Sequence, residues 1–191
     1  MKCSRLWILG LLFIFAGCEE ETPIPKPAGY YRLDYPEHTF QIYSEEDCPY
    51  TFQYGALAKI EKVKAEDQSC WFNLVYPNLN SKIHFSYYSI TGKDLSIYTE
   101  DSRKLAIKHL VKADDFEESF VHDTATNVYG TLYDFRGKAA SNFQFFLTDS
   151  TDHFIRGALY FEVEPNADSL APAEKYIEEE LIHLIQTFTW K

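Results

Sequence analysis

The chain has 191 residues, with 29 acidic against 18 basic side chains, and is 46% hydrophobic and 17% aromatic. A net charge of −11 opposes nucleic acid and anionic lipid surfaces, so neither is an expected partner for the protein's own side chains. The length suits one domain, and the aromatic share promises a large core built from Tyr and Phe.

Residues 1–17 open with Lys2 and Arg5, run through an apolar stretch from Leu6 to Phe15, and close on Ala16 and Gly17 before Cys18. That is the layout of a secretory signal peptide. Its apolar stretch falls well short of the roughly 20 residues that a membrane-spanning helix needs. Small residues at 16 and 17 admit a peptidase, and the Cys18 thiol can form a thioether to a diacylglycerol, so lipidation is expected at Cys18. The segment resembles the bacterial lipoprotein box, with Phe15 where Leu is usual. At about 0.8 kcal/mol per buried methylene, several acyl chains anchor stably where one binds marginally. Cleavage removes Lys2 and Arg5 and takes the net charge from −11 to −13.

Residues 18–28 read as a tether: Glu19, Glu20 and Glu21 stay solvated, and Pro23, Pro25 and Pro27 favour extended polyproline geometry. At about 3.1 Å per residue it stands the domain roughly 30 Å off the lipid. The acidic triplet resembles export tags of surface lipoproteins and reads equally as a solvated charge run. The folded domain is expected over residues 29–191. Cys3 leaves with the signal peptide, so Cys48 and Cys70 remain as the thiols of an oxidising compartment. A disulfide between them closes a loop worth roughly 3 kcal/mol. The metal or redox alternative lacks a Cys-x-x-Cys spacing or a nearby His.

Strand-like runs follow at Thr39–Tyr43, Tyr50–Gln53, Leu57–Lys64, Cys70–Tyr76 and Lys82–Ser89. In the last, Ile83, Phe85 and Tyr87 alternate with Lys82, His84 and Ser86, the period of a strand with one buried face. A helix is expected from Leu95 to Ala113, with Tyr98, Leu105, Ala106, Leu110 and Ala113 on its core side. Further strands read at Phe116–His122, Asn127–Arg136, Asn142–Thr148 and His153–Glu164, with Asp149 to Asp152 as a hairpin tip between the last two. A closing helix begins near Ser169 or Ala171, with Pro172 in its first turn and Glu174 near its positive end. Its stripe is Ile177, Leu181, Leu184, Ile185 and Phe188. The order strands, helix, strands, helix, joined by short connections, predicts an α+β fold: a mainly antiparallel sheet covered by two amphipathic helices. Its element order resembles the Mog1/PsbP-like fold, an analogy that carries no function.

The sequence holds no G-x-S-x-G elbow, H-E-x-x-H helix, phosphate-binding loop or dinucleotide glycine fingerprint. Six single histidines stand at no metal-ligand spacing, and His109 is the one nearest a core. No catalytic, cofactor-binding or metal residue is assigned. The stretch TDSTDHFIRG, 148–157, places Asp149 and Asp152 at a turn and Arg156 on the next strand, near Tyr160. These four are the expected partner-binding residues, since a guanidinium and carboxylates at one sheet edge can recognise a partner bidentately. Asp149 and Asp152 also suit a plain turn made by bonding their own backbone. Tyr88, Tyr129, Tyr133 and Tyr160, with Tyr30, Tyr31 and Tyr35 by the tether, offer either core packing or a stacking strip for sugars or protein.

The segments GYYRLDYP at 29–36, CPYTF at 48–52, CWFNLVYP at 70–77, SNFQFFLTDS at 141–150, HFIRGALYF at 153–161 and PNADSLAP at 165–172 occur in order. Together they resemble the gliding-motility lipoprotein GldD family of Bacteroidetes over essentially the whole mature chain. The resemblance implies a non-enzymatic, lipid-anchored accessory protein of the gliding apparatus and its associated type IX secretion machinery. It further implies envelope proteins of that machinery as partners, acyl chains on Cys18 as the membrane contact, and an outer-membrane location facing the periplasm. The rival readings are an envelope glycan-binding lipoprotein, which needs exposed tyrosines, and a hydrolase of unfamiliar type, which needs a cleft with paired acids or a perturbed His.

Overall fold

The computed structural model describes residues 35–63, 70–137, 139–162 and 167–191. The expected signal peptide, Cys18, the tether, Tyr30 and Tyr31 lie outside the described residues. Among the described residues ten strands and two α-helices follow in chain order: β1 Phe40–Tyr43, β2 Tyr50–Gly55, β3 Lys59–Lys62, β4 Phe72–Tyr76, β5 Ser81–Ser89, α1 Leu95–Ile107, β6 Ala113–Asp123, β7 Val128–Gly137, β8 Phe143–Thr148, β9 His153–Phe161, α2 Ala167–Gln186 and β10 Thr189–Trp190.

Seven strands form one sheet in the order β3-β4-β5-β9-β8-β7-β6, and a smaller sheet has the order β1-β2-β10. Every pairing is antiparallel. The alternation read in Lys82–Ser89 sends Ile83 and Phe85 into the main core, where they meet Leu74, Phe145, Ile155 and Leu159 of neighbouring strands. Tyr43, Tyr50 and Phe52 of the small sheet and Ile177, Leu181 and Leu184 of α2 close over that same face. Rings fill the space between: Phe72 stacks on Phe85 at 4.5 Å, and Phe85 meets Phe145 edge-on at 5.8 Å. Gly157, directly opposite Phe145, has no side chain because a Cβ there would stand 2.3 Å from the Phe145 ring.

The Cys48–Cys70 bond, with Cα atoms 5.5 Å apart, ties the turn after β1 to the chain entering β4. Both cysteines are buried at the rim of the aromatic core.

Several elements differ from the sequence reading. Helix α1 ends at Ile107, and residues Lys108–Lys112 form a 3-10 turn leading directly into β6. Leu105 and Leu110, expected on its core side, are exposed at 41% and 37%, while Ser102 and Ala106 are buried. Small residues let the helix axis approach the sheet, and Leu95 and Tyr98 flank that contact against Phe154 and Phe135. The expected Leu57–Lys64 strand contracts to β3. Helix α2 starts at Ala167, earlier than expected, so Pro172 lies inside it and beyond the first turn. It stops at Gln186, so Phe188, expected on the helical stripe, is buried in the connection to β10. That two-residue strand, which the sequence reading lacked, pairs Trp190 with Tyr50 and extends the small sheet.

Helix α2 also buries an acid. Glu180 is 2% exposed and accepts hydrogen bonds from the Tyr76 hydroxyl at 2.8 Å and from His38 at 3.2 Å. His38 stacks on Tyr176 at 4.3 Å, and Gly55 leaves room for the carboxylate, since a Cβ there would overlap it. Burial first, then the Glu180 charge, drives the Tyr76 hydroxyl well above its usual range and pushes Tyr176 up to about 12. Both phenols therefore stay protonated and serve as donors.

Candidate functional site

Helix α1 covers only part of the second face of the large sheet. Cross-strand register places Ser86 of β5 opposite Arg156 of β9, and Arg156 opposite Phe146 of β8. By the period of two, Lys82, His84 and Tyr88 of β5, Tyr160 of β9 and Gln144 of β8 share this face. Arg156 rises at its centre, half-buried, with a guanidinium Nη2 donating to Gln144 Oε1 and a further hydrogen bond to the Tyr160 hydroxyl. Burial lowers its pKa from the usual guanidinium value, and the phenols of Tyr160 and Tyr88 partly oppose this.

Gln144 is 1% exposed, spends its oxygen on Arg156, and leaves Nε2 buried without an acceptor. His109, from the 3-10 turn after α1, packs its ring 6.0 Å from Phe135 and 6.2 Å from Tyr160. Burial, then the Arg156 charge, pushes this imidazole below its ordinary pKa, so it stays neutral at pH 7. His84 is lowered likewise by burial and then by Lys82, and one of its ring nitrogens lies 2.8 Å from Asn73. Lys108, His109, Val111, Lys112 and Ala140 line a shallow depression of about 360 Å³ that opens beside this group. On the far rim Lys82 pairs with Glu162 at 2.8 Å. The result is a sheet face rich in donors and cations, with a shallow depression beside it, within an acidic protein.

Of the four expected partner-binding residues, the structure brings Arg156 and Tyr160 together and leaves Asp149 and Asp152 at the β8–β9 turn. Asp149 Oδ1 accepts the backbone N–H groups of Thr151, Asp152 and His153 at 2.9–3.0 Å. Burial raises its pKa, and those three N–H bonds outweigh that and hold it below the usual carboxylate value. Asp149 is thus occupied with making the turn. Gln144 escaped the sequence reading because only register across two strands brings it to Arg156. The tyrosines form no exposed strip among the described residues: Tyr133 is buried, and Tyr88, Tyr129 and Tyr160 are half-buried. Tyr88 is wedged among Trp71, Tyr98 and Phe154.

A second cluster of ionisable groups lies on the opposite face. Asp134 of β7 and Glu174 of α2 are 8% and 9% exposed, and Arg136 pairs with Asp134 and reaches Glu178 at 3.5 Å. Burial is the first cause of a raised Asp134, up to about 6, and of a raised Glu174, up to about 7. These acids are packed between sheet and helix. Among the described residues no group of three or more His, Cys, Asp or Glu is arranged to hold a metal ion, and no helix is long and apolar enough to cross a membrane.

The strand order and the helix on each face define a PsbP-like α+β protein. The solution structure of cyanobacterial PsbP (CyanoP) from Synechocystis sp. PCC 6803 matches with a TM-score of 0.50 at 10% identity, covering 87% of this chain and 100% of that one. The crystal structure of the Saccharomyces cerevisiae Ran-binding protein Mog1p gives a TM-score of 0.48 at 11% identity, covering 80% and 96%. At such identities the PsbP likeness shows the fold alone. The family is set by sequence: the model of the gliding motility lipoprotein GldD family matches residues 20–190, and the chain belongs to that family. Membership makes it a lipid-anchored envelope protein with an accessory role in gliding motility. Comparison with curated proteins finds no match.

Proposed function

We propose that the protein is a non-enzymatic accessory subunit that docks other envelope proteins of the gliding apparatus and its associated type IX secretion machinery. In this reading it is held by acyl chains on Cys18 at the periplasmic face of the outer membrane of a member of the Bacteroidetes. The observation that carries it is the family match over nearly the whole mature chain. The site geometry supports it, because the sheet face at Arg156 and the depression lined by Lys108 and Lys112 present donors and cations suited to recognition. The acids of perturbed pKa, Asp134 and Glu174, are packed beneath α2 rather than set across an open cleft, which favours docking over hydrolysis.

The test is deletion of the gene, complemented by the wild type or by Cys18→Ser, with gliding and secretion scored alongside a pull-down from envelope membranes. Loss of motility or secretion on deletion, with envelope proteins of that machinery recovered by the wild type and fewer by Cys18→Ser, is expected. Intact gliding and secretion in the deletion would reject the reading.

A further inference from the structure

We propose that the sheet face at Arg156, together with the Lys108–Lys112 depression beside it, binds the carboxylate side chains of an acidic peptide segment on a partner protein, with Arg156 as the bidentate donor. This rests on the docking function above and names the chemistry that docking would use. Arg156 sits half-buried, where a charge is normally paired, yet among the described residues no carboxylate pairs with it in a chain of 29 acids. Its partners are the neutral Gln144 oxygen and the Tyr160 hydroxyl. Beside it, Gln144 holds a buried N–H donor with no acceptor. A buried amide left unbonded carries a penalty that an incoming acceptor removes. An arginine without a carboxylate beside an amide donor without an acceptor points to an oxygen-bearing anion supplied from outside.

The rim fits the same ligand. Exposed Lys108 and Lys112 flank the depression, and His109 links it to Arg156. Of the nearby acids, Glu162 is paired with Lys82 and, with Glu61, acts on His84, while Asp114 and Asp115 follow Lys112 as exposed residues at the start of β6. A planar guanidinium matches a carboxylate through two parallel N–H bonds, and an extended Asp or Glu side chain can reach a half-buried guanidinium. A bilayer headgroup is the poorer occupant, because Arg156 is half-buried and the net charge of −11 keeps the domain from an anionic surface.

The experiment is NMR observation of the His109 imidazole in the full chain, held in zwitterionic micelles and titrated with a short capped polyglutamate peptide. Capped polyglutamine and a short-chain phosphatidylglycerol serve as the other probes. Polyglutamate is expected to shift the His109 signals and raise its pKa, since a bound carboxylate offsets the neighbouring Arg156 charge. Arg156→Gln should weaken that binding about tenfold or more. Lys108→Glu with Lys112→Glu, both on the surface and so harmless to folding, should weaken it by a smaller factor. Equal binding of polyglutamine, or unchanged affinity in both variants, overturns the proposal. A response to phosphatidylglycerol alone overturns it in favour of a lipid headgroup. In the envelope pull-down, equal recovery of partners by wild type and Arg156→Gln refutes this site and leaves docking standing, whereas no partner for the wild type refutes docking itself.

Discussion

Replacing Glu174 by Gln should make the protein less sensitive to alkaline pH. Glu174 lies between α2 and β7, 9% exposed, facing Asp134 and Arg136 of β7 and Glu178 of its own helix. Burial, opposed by Arg136 and reinforced by Asp134 and Glu178, raises its pKa from 4.5 to about 7. The unfolded chain releases this proton near the ordinary value, so between those limits the folded state binds more protons. Stability from this group is therefore full below pH 4.5 and lost as pH rises through about 7. The full shift corresponds to about 3 kcal/mol, and water penetration and side-chain relaxation reduce that to about 1–3 kcal/mol. Glutamine keeps the shape without the charge, so the variant should equal the wild type near pH 4 and exceed it by that margin at pH 8. Asp134, raised to about 6 by burial, with Glu178 and Glu117 adding to it against Arg136, keeps its own loss of stability at lower pH in both proteins. Urea unfolding at pH 4, 6.5 and 8, read from midpoints at constant slope, measures the difference. A variant that is no more stable than the wild type at pH 8, or equally steep between pH 4.5 and 7, would refute the reasoning.

Gly157→Ala should destabilise by about 1–3 kcal/mol through overpacking, because the added methyl meets the Phe145 ring; thermal melts check this, and a neutral effect would mean the ring pair yields freely. Tyr76→Phe removes a donor from the buried Glu180 carboxylate and should cost about 1–3 kcal/mol in urea unfolding. Cys48→Ala combined with Cys70→Ala should cost about 3 kcal/mol, and a reducing agent should lower the wild-type melting temperature while leaving the double variant unchanged.

What could be read in the sequence was whatever hydropathy alternation records. Ile83 and Phe85 of β5 and Ile155 and Leu159 of β9 announced their strands because one face is apolar throughout. The α1 contact was hidden for the opposite reason: Ser102 and Ala106 are buried because they are small, and a hydropathy wheel favours Leu105 and Leu110 instead. Glu180 reads as a surface acid until Tyr76 and His38, 104 and 142 residues away in sequence, come to meet it. The candidate site divides in the same way. Arg156 and Tyr160, four apart on one strand, share a face by period alone, but Gln144 joins them only through register, and Asp149 leaves them because its carboxylate closes the turn.

The Cys48–Cys70 bond also fixes how a mechanical load passes through the domain. A pull on the chain ahead of Tyr35 first meets the Tyr35 ring on Tyr176, then the His38 contacts with Glu179 and Glu180, then the edge strand β1, which pairs with β2 on one side among the described residues. Stripping these away frees the chain only as far as Cys48, where the crosslink diverts the tension to Cys70 and the start of β4. There the force enters a strand held on both sides by β3 and β5. At roughly 3.3–3.6 Å per residue, the slack from Tyr35 to Cys48 extends about 45 Å before the large sheet bears the strain. Under load from its N-terminal side, that arrangement is a shock absorber with a hard stop: a short sacrificial segment yields, and the Arg156 face behind it keeps its shape.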